Sequence, residues 1–197
     1  MEMKRIRKIT VLLMAFLAMA QGVKAQDFVF SQFYANPLYL NPALAGSKVC
    51  PRFSLNYRNQ WPGLVSAFTT VSASYDQYFD KLHGGIGAFV LTDRQGDHGA
   101  LKTNQVSFMY SFRFQLSRTI YMNAALQASL VNENLDWSTL TFPDQIDPVY
   151  GFIFETSAIP PDDMNLFYAD FNAGLVVYSK QWYGGLAVSH LTQPSNG

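Results

Sequence analysis

The fold of this chain is decided by residues 105–116, which read QVSFMYSFRFQL. Every even position from Val106 to Leu116 carries an apolar side chain, often an aromatic one, and every odd position except Met109 is polar. Successive side chains of a β-strand point to opposite sides of the sheet. The stretch therefore predicts a strand with one apolar face and one polar face.

The same two-residue period occurs in five further segments, and residues 85–92 form another segment that is Gly-rich and apolar on both sides. Together they predict seven strands. The predicted strands span residues 53–59, 67–76, 85–92, 104–116, 119–131, 170–179 and 182–190. Several are longer than the ~5–6 residues common in soluble strands and approach the ~9–11 residues that cross a bilayer. Such strands are typical of a barrel wall with lipid on one side.

The first 25 residues have the three parts of a secretory signal peptide. Four basic residues precede a 12-residue apolar core from Ile9 to Ala20, and small residues at Val23 and Ala25 form a cleavage site. The core is shorter than the ~20 residues of a membrane-spanning helix. We therefore expect an exported protein whose mature chain starts at Gln26.

Composition excludes several classes of function. Charged residues make up 14% of the chain and aromatic residues 15%, whereas soluble domains carry about 25% charged residues. Without the predicted signal peptide, 9 basic and 13 acidic residues remain, and this negative balance argues against a nucleic-acid partner. The single cysteine, Cys50, allows no internal disulfide. Catalytic-triad, HExxH and phosphate-loop patterns are missing from the sequence, and no residue spacing in it predicts a cofactor or a metal site.

These observations predict an all-β fold, an antiparallel transmembrane β-barrel in the cell outer membrane with lipid as a partner. Seven is an odd number, whereas single-chain bacterial barrels have an even number of strands. Residues 193–197 also read as a loop. We therefore expect an N-terminal fragment of a longer barrel.

Alternating connection lengths predict an orientation. The connections over residues 60–66, 93–103 and 132–169 form one alternate set, and the two shortest connections, 117–118 and 180–181, belong to the other. Barrels of this class have short periplasmic turns and long extracellular loops. We therefore expect the loop at 132–169 to be external. The predicted parts are a signal peptide (1–25), an N-terminal Asn-Pro segment (26–51) and the barrel strands (52–197).

The N-terminal segment does not alternate and contains Asn36-Pro37 and Asn41-Pro42. Each proline biases the residue before it away from the helical region, which predicts extended or turning chain. Asn41 is placed to cap a single helical turn that begins at Pro42 and ends at Gly46. We expect this segment to lie in the lumen or at the periplasmic side of the barrel.

Several stretches resemble a known family. They read FSQFY (30–34), NPLYLNPA (36–43), YRNQWPG (57–63), SYD (74–76), GGIG (84–87), FPDQID (142–147) and DFNAG (170–174). The chain resembles the PorP/SprF outer-membrane proteins of the Bacteroidetes type IX secretion system. The resemblance implies an accessory protein, not an enzyme, that supports protein secretion, gliding motility or surface anchoring of adhesin-like proteins. Its implied partners are a periplasmic lipoprotein ring and a secreted adhesin.

Candidate partner-binding residues lie in three places: the N-terminal segment, the end of the first strand and the long loop. They are Asn36, Pro37, Asn41, Pro42, Arg58, Trp61, Asp144 and Asp147. Arg58 falls on the polar face, where it could pair with a carboxylate, although turn chemistry alone also explains residues 57–63. The acidic and aromatic residues of the long loop could contact a secreted partner, bind divalent cations or fold over the barrel mouth as a lid.

Two other functions remain open at this stage. Polar residues on the inner face would also suit a transport pore for small or apolar solutes. The other alternative is a soluble periplasmic β-sandwich or lipid-binding clamp, because the strands of sandwiches also alternate.

Overall fold

The computed structural model describes residues 30–48, 50–63, 67–96, 99–147, 149–161 and 163–192. The predicted signal peptide lies outside the described residues, as do the first residues of the Asn-Pro segment. Within the described ranges, no helix is both long and apolar enough to cross a membrane.

Nine strands make up most of the described chain. They are β1 (Arg52–Gln60), β2 (Phe68–Phe79), β3 (Gly84–Gln95), β4 (Leu101–Gln115), β5 (Tyr121–Leu135), β6 (Ile146–Asp147), β7 (Gly151–Phe152), β8 (Asn165–Tyr178) and β9 (Tyr183–Val188). The helical elements are one α-helical turn, α1 (Pro37–Leu40), and 3-10 turns at Phe33–Ala35, Pro42–Leu44, Asp80–Leu82, Trp137–Thr139 and Pro143–Gln145.

Seven of the strands form one curled antiparallel sheet in the order β1-β2-β3-β4-β5-β8-β9, and β6 pairs with β7 in a separate small hairpin. Each strand of the large sheet pairs with its neighbour along the chain, apart from the inserted hairpin. The prediction of an all-β, antiparallel half-barrel of seven strands is confirmed.

The polar face of the sheet is buried and the apolar face is exposed. On β4, Ser107 and Ser111 are fully buried, whereas Phe108 between them is 64% exposed. On β5, Asn123 is buried and Leu126 is 70% exposed. This arrangement is the reverse of a soluble sandwich, which buries its apolar residues between two sheets. The sandwich interpretation is therefore wrong for this chain.

Two connections are shorter than the sequence predicted. The connection expected at 93–103 occupies only residues 96–100, because Asp93 pairs with Thr103 in the β3–β4 ladder. Likewise, β5 continues to Leu135 and β8 starts at Asn165, so the long connection spans residues 136–164. At Asp93–Gln95 of β3 and Asn132–Asn134 of β5 the strand continues with polar residues, which end the alternation but not the hydrogen-bonded ladder.

Residues 30–46 lie against the inner face of the sheet. The predicted turn after Asn41 is present as a 3-10 turn, and the Asn41 side chain accepts a hydrogen bond from the Ala43 N–H at 2.9 Å. As predicted, Asn36 (φ −120°, ψ 70°) and Asn41 (φ −160°, ψ 121°) lie outside the helical region, and α1 starts only at Pro37. Proline suits the first position of a helix because its fixed φ is helical and that position needs no N–H donor.

Candidate functional site

Apolar side chains anchor the first part of the N-terminal segment, defined here as residues 30–46. Leu38 of α1 is 1% exposed and belongs to one buried cluster with Phe89 and Leu91 of β3. Tyr39 packs with its ring centroid 5.8 Å from that of Phe89, and 5.4 Å from that of Phe30. Phe89 and Leu91 are thus apolar exceptions on a polar face, and the segment covers them.

The predicted residues Asn36 and Pro37 lie at the start of α1. The Asn36 side chain is completely buried, and its Nδ2 donates to the Ser72 hydroxyl of β2 at 3.1 Å. Pro37 occupies the first helical position. Asn36 therefore fixes the start of α1 to the wall, and Pro37 begins the helix.

Backbone carbonyls of the segment are bound by polar side chains of β4 and β5. The Ala43 carbonyl accepts from the Ser111 hydroxyl at 3.2 Å and from the Asn123 Nδ2 at 3.0 Å. The Gly46 carbonyl accepts from the Arg113 Nη2 at 2.9 Å. A carbonyl shielded from water costs free energy unless it is paired, so these inner-face side chains satisfy the turn that they hold.

A buried ion pair closes the end of the segment. Arg52 of β1 contacts Asp76 of β2 through Nε–Oδ1 at 2.8 Å and Nη2–Oδ2 at 3.0 Å. Asp76 is 2% exposed and also accepts from the Gly46 N–H at 2.8 Å, while Arg52 donates to the Leu44 carbonyl at 3.2 Å. Each ion also makes a hydrogen bond to a backbone group of the segment, so each charge has a second partner besides the opposite ion.

Asn41 joins the segment to the last two strands of the sheet. Its Nδ2 donates to the Leu186 carbonyl of β9 at 3.1 Å and to the Leu175 carbonyl of β8 at 3.4 Å. Its Oδ1 is the cap of the following turn, and Pro42 is buried beside it. The Nδ2 of Asn41 thus donates to the sheet, and its Oδ1 accepts from the turn.

Glycines in the wall leave the space that the segment occupies. A Cβ atom at Gly174 of β8 would overlap the Asn41 Oδ1, and one at Gly85 of β3 would overlap the Ala45 carbonyl oxygen. Gly46 has φ +61° and approaches Gly85 closely. A side chain at either wall position would therefore displace the segment.

The residues predicted at the end of β1 do not join this site. The Arg58 guanidinium donates to the Gln60 side chain on the same strand, and it forms no ion pair with a carboxylate of the described residues. Trp61 is 56% exposed, has φ +57°, and packs edge-on against Phe68 at 5.7 Å between ring centroids. These contacts support the simpler interpretation of a strand end followed by a turn.

In the long loop, Asp144 and Asp147 organise local backbone. Asp144 accepts from the Ser157 N–H at 2.7 Å and from the Thr156 hydroxyl at 3.0 Å, which ties together two parts of the loop. Asp147 Oδ1 accepts from the N–H groups of Val149 and Tyr150 at 2.8 and 2.9 Å. No group of three potential metal ligands occurs among the residues that the structure describes.

Hydrogen bonding perturbs one of these carboxyls. The Ser157 N–H bond, together with the bonds from the Ser157 and Thr156 hydroxyls, lowers the pKa of Asp144 below its ordinary value of 3.8. Bonds to the ionised form stabilise it relative to the protonated form.

Sequence reasoning missed the wall residues that hold the segment, namely Arg52, Asp76, Ser111, Arg113 and Asn123. A usable signal was present for three of them. In a chain with so few charges, Arg52, Asp76 and Arg113 are ionised residues on the polar face of predicted strands. A charge on that face requires a partner inside the barrel.

Comparison with known proteins gives one match. The family model described as type IX secretion system membrane protein PorP/SprF matches residues 22–196. A search of curated proteins and a search of solved structures each found no match.

The close approach of the segment to Gly174 can be tested by adding one methyl group at that position. Gly174→Ala should lower the free energy of unfolding by about 1–3 kcal/mol, because the new Cβ overlaps the Asn41 amide. Gly184→Ala is the matched control, since nothing lies within 4 Å of its Cβ position. The midpoint of urea unfolding, followed by heat-modifiable gel migration, measures both. Equal midpoints for the two variants would contradict the contact.

The hydrogen bonds that tie residues 156–157 to Asp144, called here the Asp144 anchor, should depend on pH. Because its folded-state pKa is lowered, the anchor is fully present above the ordinary value of 3.8 and is lost as the pH falls through the lowered pKa. Pepsin cleavage within residues 136–164 should therefore accelerate only as the pH falls below 3.8 and through the lowered pKa of Asp144, after correction for cleavage of an unfolded peptide. Asp144→Asn should be cleaved rapidly throughout. Asp136→Asn is the control, since its Oδ1 can still accept from the Ser138 N–H. A rate that does not change with pH in the original chain would refute the anchor.

Proposed function

Because the chain belongs to the PorP/SprF family of type IX secretion system membrane proteins, we propose that it is an accessory outer-membrane β-barrel. In this proposal it supports secretion or surface anchoring of adhesin-like proteins by binding partners. The observation that carries the proposal is the filled inner face: the wall holds a polypeptide segment where a pore would hold water.

The outer face of the sheet supports contact with membrane lipid. Exposed apolar side chains occur on every strand of the large sheet, including Phe53, Val71, Ile86, Phe108, Leu126, Phe171 and Leu186. Soluble monomers rarely expose a contiguous apolar patch of more than a few hundred Å². Outer-membrane barrels carry such a band where they cross the hydrocarbon.

Connection lengths support an orientation. The turns at 80–83, 116–120 and 179–182 lie at one end of the sheet, and the connection at 136–164 lies at the other end. Short turns of such barrels are periplasmic. The Ala43 and Gly46 contacts fall close to the short turns, on Asn123 and Arg113. The segment is therefore suited to meet periplasmic partners such as a lipoprotein ring, and the long loop to meet an exported protein.

The alternative is a transport pore, and the filled inner face disfavours it. A conducting barrel needs a continuous aqueous path lined by its polar residues. Here the segment from Asn36 to Gly46 occupies part of the inner face, through polar side chains of β2, β4 and β5 and backbone carbonyls of β8 and β9.

Deletion of the gene in the source bacterium tests the accessory role. We expect the deletion to remove one or a few large surface proteins from the cell surface while the other proteins exported by the system remain. Such selectivity follows from binding of particular partners. Quantitative proteomics of surface and medium fractions measures it, with the restored gene as control. An unchanged surface proteome would refute the proposal.

Conductance separates the two functions. The purified protein in a planar bilayer should give no stable stepwise currents, because the segment lies across the inner face from β2 to β9. Gly174→Ala, which displaces Asn41, should raise the frequency of brief openings, and Gly184→Ala should not. Stable steps from the unaltered protein would favour the transport pore.

A further inference from the structure

The long connection between β5 and β8 is an ordered, apolar surface. Its most exposed large apolar side chains are Val149, Tyr150 and Ile159, at 80%, 77% and 86% exposure. Ile146 and Phe152, which pair across the β6–β7 hairpin, are 48% and 63% exposed. The loop therefore presents its apolar residues outward.

Hydrogen bonds fix the conformation of this surface. The Gln145 carbonyl accepts from the Ile153 and Phe154 N–H groups at 3.1 and 3.3 Å, which brings the two sides of the hairpin together. The Asp147 side chain closes the hairpin tip, and Asp144 ties residues 156–157 to its base. A surface ordered before binding loses little entropy when a partner arrives.

The charge of the loop is one-sided. Residues 136–164 contain six acidic residues and no Lys, Arg or His. A second copy of the same loop would place like charges together, which is unfavourable. Anionic lipid headgroups would be repelled in the same way, because membrane surfaces that carry negative charge attract basic segments. Complementarity therefore favours a partner that carries positive charge beside apolar side chains.

We propose that residues 136–164 are a docking surface for a polypeptide segment that combines basic and apolar side chains. The proposal rests on the function proposed above and specifies the chemistry of its external partner. Apolar contact at Val149, Tyr150 and Ile159 supplies affinity, and the acidic residues around them select positive partners and accelerate their approach.

Two fluorescent 12-residue peptides provide the probe. Both carry leucine at alternate positions, and the remaining positions are lysine in one and glutamate in the other. Binding to the purified protein in uncharged detergent is followed by fluorescence anisotropy. The lysine peptide should bind and weaken as salt rises, and the glutamate peptide should not bind. Equal binding of the two peptides would overturn the proposal.

Matched variants locate the binding. Val149→Ser with Tyr150→Ser and Ile159→Ser should weaken the lysine peptide by about tenfold or more. Asp147→Asn with Glu155→Gln and Asp163→Asn should weaken it several-fold and flatten the salt dependence. Asn at 147 retains an oxygen for the turn. The control, Asp80→Asn with Leu82→Ser, lies in a short turn at the other end and should have no effect. A loss in the control equal to that in the loop variants would also overturn the proposal.

Further outcomes identify other occupants. If the loop variants abolish dimerisation in light scattering, the occupant is a second copy and the proposal fails. If they abolish binding to vesicles of anionic lipid while the lysine peptide still binds, the occupant is a membrane surface and the proposal fails. Unchanged heat-modifiable migration shows that each variant is folded. The gene-deletion experiment remains separate: a selective secretion defect without lysine-peptide binding would refute this inference and leave the accessory role standing.

Discussion

The structure depends on one constraint: the polar inner face of a curled sheet must be hydrogen-bonded. Here much of that requirement is met by backbone groups of residues 30–46 rather than by water alone. The Asp76 carboxylate illustrates it, because it receives both the Arg52 guanidinium and the Gly46 N–H. The segment and the wall therefore satisfy each other, and neither has a complete set of partners without the other.

This mutual dependence explains why the wall is chemically uneven. Where the segment approaches by its backbone, the wall has glycine, as at Gly85 and Gly174. Where the segment presents carbonyls, the wall has donors, as at Ser111 and Asn123. Where it presents apolar residues of α1, the wall has Phe89 and Leu91. Each of these departures from the simple polar pattern corresponds to a contact.

The sequence predicted the strands well because barrel walls impose a period of two wherever lipid lies on one side. The predicted strand ends were wrong at the connection after β3, because Asp93 pairs with Thr103 and continues the β3–β4 ladder although neither residue is apolar. The Arg52–Asp76 pair required the register, since the two residues lie opposite each other across β1 and β2. Similarly, nothing near Asp144 in the sequence indicated that residues 156–157 return to it. Spacing along the chain carries no information about such returns.

The position of Asn41 has a consequence for the order of folding. Its amide contacts carbonyls that lie 134 and 145 residues later in the chain, so these contacts form only after β8 and β9 have been placed. Contacts across such long separations are slow, because the chain between them must first lose its freedom. Asn41 precedes the first strand of the sheet, yet it is thus among the last residues to reach its final contacts.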